Sequence, residues 1–323
     1  MTNMVKTTAD VSLIYTKPFW QRLGKKLSNN MRPEEMARVV DVNWEVRGID
    51  SYVNFGGKYI KTGQKSLIRT DTGAILSNVG EDWHIVQNIE IFELFKELVI
   101  MGGMDMDSAG SLKGGQIVWA LAKVNEFSFD IFDGDKIETY LLFSNPHQYG
   151  MSVNIQFITI RVICSNGLAS LKNRSYRIKH IKGFREKSDI VKRDIVKKTL
   201  AIARKEFAEY RRMAGILASQ PYDKDDLRQY YMEIFPISNP DRLITPDTKL
   251  TPRAERCLEL VESQPGAKFA RGTWWQAFNS VVYVIDHEQN TTAENRLYNQ
   301  WYGDNKSLKI KAAKKAIQYA RAT

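Results

Sequence analysis

The sequence predicts an α+β fold: an antiparallel β-meander packed on a long basic helix, with a helical C-terminal lobe. Three observations carry this. Short strand-like segments follow one another from about residue 44 to residue 163, separated by turn signals. A segment from about Ser188 to Ala218 then switches to helical period. Beyond a Pro/Asn/Asp-rich stretch, Pro236 to Pro252, every periodic segment is helical.

The elements are justified in order. Pro33 opens a short helix, PEEMARVV, with acids in its first turn. WEVRGI, YVNFGG and SLIRTDTGAILSNV read as strands, with Asp71-Thr72-Gly73 as a hairpin turn. Gln87 to Met101 carries Ile91, Phe92, Phe95, Leu98 and Val99 on one helical face, and Gly102-Gly103 ends it. Ser108 to Lys113 and Gln116 to Phe132 read as extended, broken at Gly114-Gly115. Asp133-Gly134-Asp135 signals a hairpin into Lys136 to Ser144, and Met151 to Ile163 supplies the next strand. Helices are expected at Ser188–Ala218, Asp223–Phe235, Pro252–Ser263, Gly272–His287, Ala293–Tyr302 and from Ser307 onward. The expected organisation is a flexible arm over 1–32, pinned in part by Phe19 and Trp20, an α+β core over 33–235, a linker over 236–250 and a helical lobe over 251–323.

Charge is concentrated. The chain of 323 residues has a net charge of +10, and residues 172–212 hold fifteen Lys/Arg against five Asp/Glu, an excess of the same size. Lys197/Lys198, Arg204/Lys205 and Arg211/Arg212 repeat every seven residues, between apolar Val196, Leu200, Ala203, Phe207, Tyr210 and Ala214. On a helix the apolar set forms one stripe, with Phe207 at the centre and expected in the core. The second member of each basic pair points away. Such a ridge suits a polyanion, most commonly nucleic acid. Arg174, Arg177, Lys179, Lys182, Arg185, Lys198, Lys205 and Arg212 are the expected phosphate contacts. Tyr149, Tyr176, Phe184, Trp274 and Trp275 stand near basic residues, where an exposed ring could stack a base; of the adjacent tryptophans, one is expected in the core and the other exposed. The last helix, Lys306 to Arg321, has six basic residues and no acid, with Ile310, Ala313, Ile317 and Ala320 as its apolar stripe: a second cationic element.

Other chemistry finds little footing. Gly56-Gly57-Lys58 and Gly110 to Gly115 do not match a phosphate-loop pattern and read as turns. His84, His147, His180 and His287 are isolated. Asp105 and Asp107 alternate along one strand face, a weak metal signal, and Cys164 with His180 is a weak nucleophile–base pair. Cys164 and Cys257 are the only cysteines, which points to a reducing interior. No apolar run reaches bilayer length and the start lacks a signal-peptide pattern, so a cytoplasmic protein is expected, and no motif calls for a cofactor or metal.

Several blocks resemble a known family. LIRTDTGAILSNVGEDWHIVQNIEIFE, DSAGSLKGGQIVWALAKV, YLLFSNPHQYGMSVNIQFITIRVICSNGL and GTWWQAFNSVVYVIDH are similar, over roughly residues 40–320, to the phage/plasmid-like family described as a domain of unknown function, number 932. Its usual aromatic before VQN is here His84, and its usual Thr after the Asn is Gly167. The resemblance implies a phage, prophage or plasmid setting and hands over no activity. The β-β-β-α order is also similar to the core of phage single-strand annealing recombinases, a likeness of fold alone. The expected function is therefore nucleic-acid binding: annealing of single-stranded DNA in recombination by a homo-oligomer, without ATP. The alternatives are an interaction protein that binds a host factor, and a noncanonical nucleic-acid-processing enzyme built around Asp105, Asp107 and His147.

Overall fold

A computed structural model describes residues 18, 20–169, 174–180, 189–237, 248–289 and 291–322. In chain order they form α1 (Trp20–Leu23), β1 (Lys25–Lys26), α2 (Pro33–Val39), β2 (Val46–Phe55), β3 (Lys58–Arg69), β4 (Ile75–Gly80) and α3 (Asn88–Gly102). Next come β5 (Asp105–Leu112), β6 (Ile117–Lys123), β7 (Phe129–Asp130), β8 (Lys136–Pro146), β9 (Val153–Arg161), β10 (Asn166–Ala169) and β11 (Tyr176–Ile178). The rest is helical: α4 (Asp189–Ser219), α5 (Lys224–Ile234), α6 (Pro252–Leu260), α7 (Trp274–His287), α8 (Ala293–Trp301) and α9 (Asp304–Ala322). The fold is α+β, as the sequence predicts.

The expected meander is the centre of a larger antiparallel sheet. β5, β6, β8 and β9 run side by side, β1 extends one edge, and β10 and β11 both pair with β9. Both faces of this sheet are covered, so its strands are continuous apolar runs rather than alternating ones. In β6, Val118, Ala120 and Ala122 join the core beneath α2 and α3, while Ile117, Trp119 and Leu121 join Trp20 of α1 and Leu297 and Trp301 of α8 on the other side. Gly110 sits opposite Trp119 in the register, and a Cβ there would come within 3.0 Å of the indole. The glycine is therefore a seat for a large ring. The extended run expected from Gln116 to Phe132 breaks after Lys123 into a 3-10 turn, Asn125–Phe127, which sends Phe127 into the core.

β2, β3 and β4 form a second, three-stranded sheet. Its base packs on the main core through Val46, Leu67, Leu76 and Val79. Its far half is a two-stranded ribbon turned by Gly56 and Gly57, whose φ of +59° and +82° explain glycine at both places. α3 ends as expected, on Gly103 in the left-handed region.

Two observations bear on the expected organisation. From Trp20 onward the arm is part of the fold: Trp20 is 1% exposed, its indole donates to Asp107 at 3.0 Å, and Lys25–Lys26 pair with Ser108–Ala109. Residues 1–17 and Phe19 lie outside the described residues, as does most of the linker. Nor do the apolar clusters divide near 236–250. The C-terminal half of α4 and all of α5 share one core with α6, α7 and α9. α4 is thus a strut between two cores. Ile195, Val196 and Ala203 pack with the sheet, and Tyr210, Met213, Ala214 and Leu217 pack with the C-terminal helices.

Candidate nucleic-acid interface

The stripe of α4 falls where its spacing puts it. Val196, Ala203, Tyr210 and Ala214 are buried, and all six members of the three basic pairs are exposed. Phe207 is only half-buried. It stacks on Phe127 at 4.9 Å and meets Phe129 edge-on at 5.5 Å, so it caps the core rather than filling it. At 1.5 Å rise per residue, Lys198, Lys205 and Arg212 stand about 10 Å apart along one line.

The expected contacts have different fates. Lys205 and Arg212 are exposed with no carboxylate in ion-pair range among the described residues. Lys198 reaches Asp194 at 2.6 Å, one turn away, an exposed pair of little energetic consequence. Arg177 and Lys179 are exposed on and just after β11, beside α4. Arg174 differs: it lies 3.3 Å from Glu209 and 3.7 Å from the buried Glu206, and so serves the helix. Lys182, Arg185 and Phe184 lie outside the described residues.

The other expected chemistry is not assembled. Asp107 accepts from Trp20, Gln21 and Ser108, while Asp105 accepts from Asn29 and Asn125. His147 is buried elsewhere, 2.8 Å from the Asn88 side chain and edge-on to Trp44, and burial lowers its pKa to about 3. Among the described residues no three His, Cys, Asp or Glu side chains could share a metal ion. Cys164 is buried and its thiol is pushed up to about 11, whereas His180 stacks on Trp83 at 4.2 Å; they form no nucleophile–base pair.

Two readings of aromatic and basic residues are corrected. Trp274 and Trp275 are both fully buried, because α7 is buried from Trp274 to Asp286 on every side. α9 leaves Lys314 and Arg321 exposed, but the fold engages its other cations. Lys309 lies on its buried side, held by Asp286 at 2.8 Å and by the Gly167 carbonyl. Lys315 and the Lys311 ammonium meet Glu233 and its carbonyl, and Lys306 donates to Gln156 at 2.9 Å. Tyr149 is 72% exposed and Tyr176 half-buried.

The blocks that carry the family resemblance hold the fold together. In VQN, the Gln87 side chain bonds both backbone groups of Val46, and Asn88 donates to Val42 and Trp44 while meeting His147 of NPHQYG. In RVICSNGL, Arg161 binds Asp135 twice, at 2.6 and 2.8 Å, under the Trp275 indole that donates to the same carboxylate. Asn166 donates to Asn279, and the Gly167 N–H donates to Asp286. Each buried charge is thus paired and hydrogen-bonded, which its desolvation requires. Sequence reading gives no pairing between these distant blocks; the only signal was their rarity of composition.

Two features escaped sequence reading. Tyr52, Val53, Phe55, Tyr59 and Ile60 cover the exposed ribbon, with Phe55 and Tyr59 each 77% exposed. Val53 faces Ile60 across the ribbon, and Phe55 faces Lys58. Strand alternation carries no sign that a ribbon lies beyond the core. Second, Lys306 approaches Arg177 in a cavity between β9, β11 and the start of α9. Among the described residues no helix is long and apolar enough to cross a membrane. No curated protein and no solved structure matches the chain. The model of the family described as Domain of unknown function (DUF932) matches residues 75–309, nearly three-quarters of the sequence, and the chain belongs to that family.

Proposed function

We propose that this is a phage or plasmid nucleic-acid-binding protein, most concretely a single-strand annealing protein that works as a homo-oligomer without ATP. The observation that carries the reading is the line of Lys198, Lys205 and Arg212 on α4, exposed on a helix whose opposite stripe is anchored in two cores. A rigid line of cations neutralises phosphates without reading bases. Annealing asks for that: a strand held by its backbone, with base edges free to find a complement. One copy spans only a short stretch of strand, so neighbouring copies must join their lines into one track. The test mixes the protein with two complementary oligonucleotides and no nucleotide triphosphate. Faster duplex formation, with a light-scattering mass well above that of one chain, supports the reading. A monomer that binds DNA without accelerating pairing would leave a plain binding role.

The second reading, a protein that docks on a host factor, is favoured by the ribbon. Contiguous exposed apolar side chains on a soluble surface mark interaction sites. Replacing Phe55 and Tyr59 by Ser separates the two: loss of a protein partner with oligonucleotide binding intact supports docking.

A further inference from the structure

A cavity of about 230 Å³ opens beside α4, lined among others by Asn154, Arg177, Tyr302, Gly303, Lys306 and Ser307. That is smaller than the roughly 300–1,000 Å³ that takes a drug-sized molecule, and it suits one small charged group. Its construction is specific. The Tyr302-Gly303 turn joins α8 to α9 so tightly that a Cβ on Gly303 would come within 2.6 Å of the Asn299 side chain. The turn brings the first residues of α9, a 19-residue helix, to the cavity wall, where the positive end of the helix dipole favours an anion. Asp304, the acid of that first turn, is exposed and is not part of the lining.

Two cations share the cavity. Arg177 spends its Nε on Ser175, and Lys306 donates to the neutral Gln156; neither has a carboxylate in ion-pair range among the described residues. Burial, with Arg177 second, lowers the Lys306 pKa to about 8. Glu206 acts on Lys306 in the opposite sense, but it lies 3.7 Å from Arg174. Two cations thus meet in one cavity at a helix start with no carboxylate in ion-pair range of either among the described residues, and the nearby Glu206 is engaged by Arg174.

We infer that this cavity binds a phosphate monoester, and, resting on the nucleic-acid reading, that its ligand is the terminal phosphate of a strand. A terminal phosphate carries up to two charges, matching Arg177 and Lys306, and enters a concave site end-on. A phosphate within the chain would have to bring both of its neighbouring nucleosides along. The site would then fix where a strand begins on the α4 track.

The test uses the full chain with inorganic phosphate, and with one oligonucleotide carrying or lacking a terminal phosphate at either end. Inorganic phosphate should raise the melting temperature. One phosphorylated end should tighten oligonucleotide binding about tenfold or more, since charge-assisted bonds are lost without it. Both effects should vanish in Lys306→Met and in Arg177→Gln, the latter an exposed residue whose loss leaves the fold intact. Sulfate stays divalent across the range, so its binding should weaken as pH rises through about 8, where Lys306 loses its proton. Oligonucleotides that bind equally with and without terminal phosphate would overturn the inference and leave the α4 reading standing. Inorganic phosphate that binds while no oligonucleotide does would overturn the strand-end assignment and the nucleic-acid reading together.

Discussion

α4 and α9 are both basic amphipathic helices, and they differ in how much of their charge the fold engages. α4 turns Lys197, Lys205 and Arg212 to solvent. α9 turns Lys309 into the core against Asp286, and directs Lys306, Lys311 and Lys315 onto Gln156 and Glu233. Lysine density is therefore a poor guide to an interface. What decides is whether the surrounding fold supplies acceptors. α7 and α5 place Asp286 and Glu233 beside α9, while on α4 Glu206 and Glu209 are taken by Arg174 and the basic pairs meet acids only in the exposed contacts Lys198–Asp194 and Arg204–Glu126.

This contrast can be broken by substitution. The largest effect is expected at Lys309. Lys309→Met should cost about 3–5 kcal/mol in denaturant unfolding, because Asp286 is left charged, buried and without its cation. Adding Asp286→Leu should recover part of that loss; no recovery would mean that Lys309 matters through packing alone.

Acid should act through buried histidines, one of them beside Asp286. Burial lowers His287, next to Asp286, and His180 to about 4, and His147 to about 3. These groups bind protons more weakly folded than unfolded. Their contribution is complete above the ordinary histidine value near 6.5, and it is lost as pH falls from there toward 4, on the order of several kcal/mol in sum. Melting temperature that stays flat from pH 7 to 4.5 would contradict the burial of these rings.

Smaller effects are expected on α4. Phe207→Ala should cost about 2 kcal/mol, below the roughly 3–5 kcal/mol of a fully buried phenylalanine, since one side of the ring faces solvent. Replacing Lys198, Lys205 and Arg212 together by Ala should shift stability by less than about 0.5 kcal/mol. A loss as large as that at Lys309 would show that the two helices do not differ as described.

The difference between the helices also marks how far sequence reading reaches. The α4 stripe is legible because local spacing alone fixes it, as are the glycine stop of α3 and the Asp133-Gly134-Asp135 hairpin. The inward turn of Lys309 is not legible, since its partner is 23 residues away on another helix and a lysine on an apolar stripe reads as misplaced. Trp274 and Trp275 fail for a related reason: one-sided amphipathicity assumes one buried face, and α7 has no exposed one. Of the expected contacts, Lys198, Lys205 and Arg212 follow from local period. The engagement of Arg174 and the meeting of Arg177 with Lys306 depend on tertiary packing, which spacing does not encode.

The exposed line on α4 is tested most directly by the salt dependence of binding to a short single-stranded oligonucleotide. For about six phosphate contacts, the logarithm of affinity should fall against the logarithm of salt with a slope near −4, and removing Lys198, Lys205 and Arg212 should reduce that slope by about 2. A flat salt response, or a slope unchanged in the triple variant, would contradict the assignment of α4 as the surface that meets a strand.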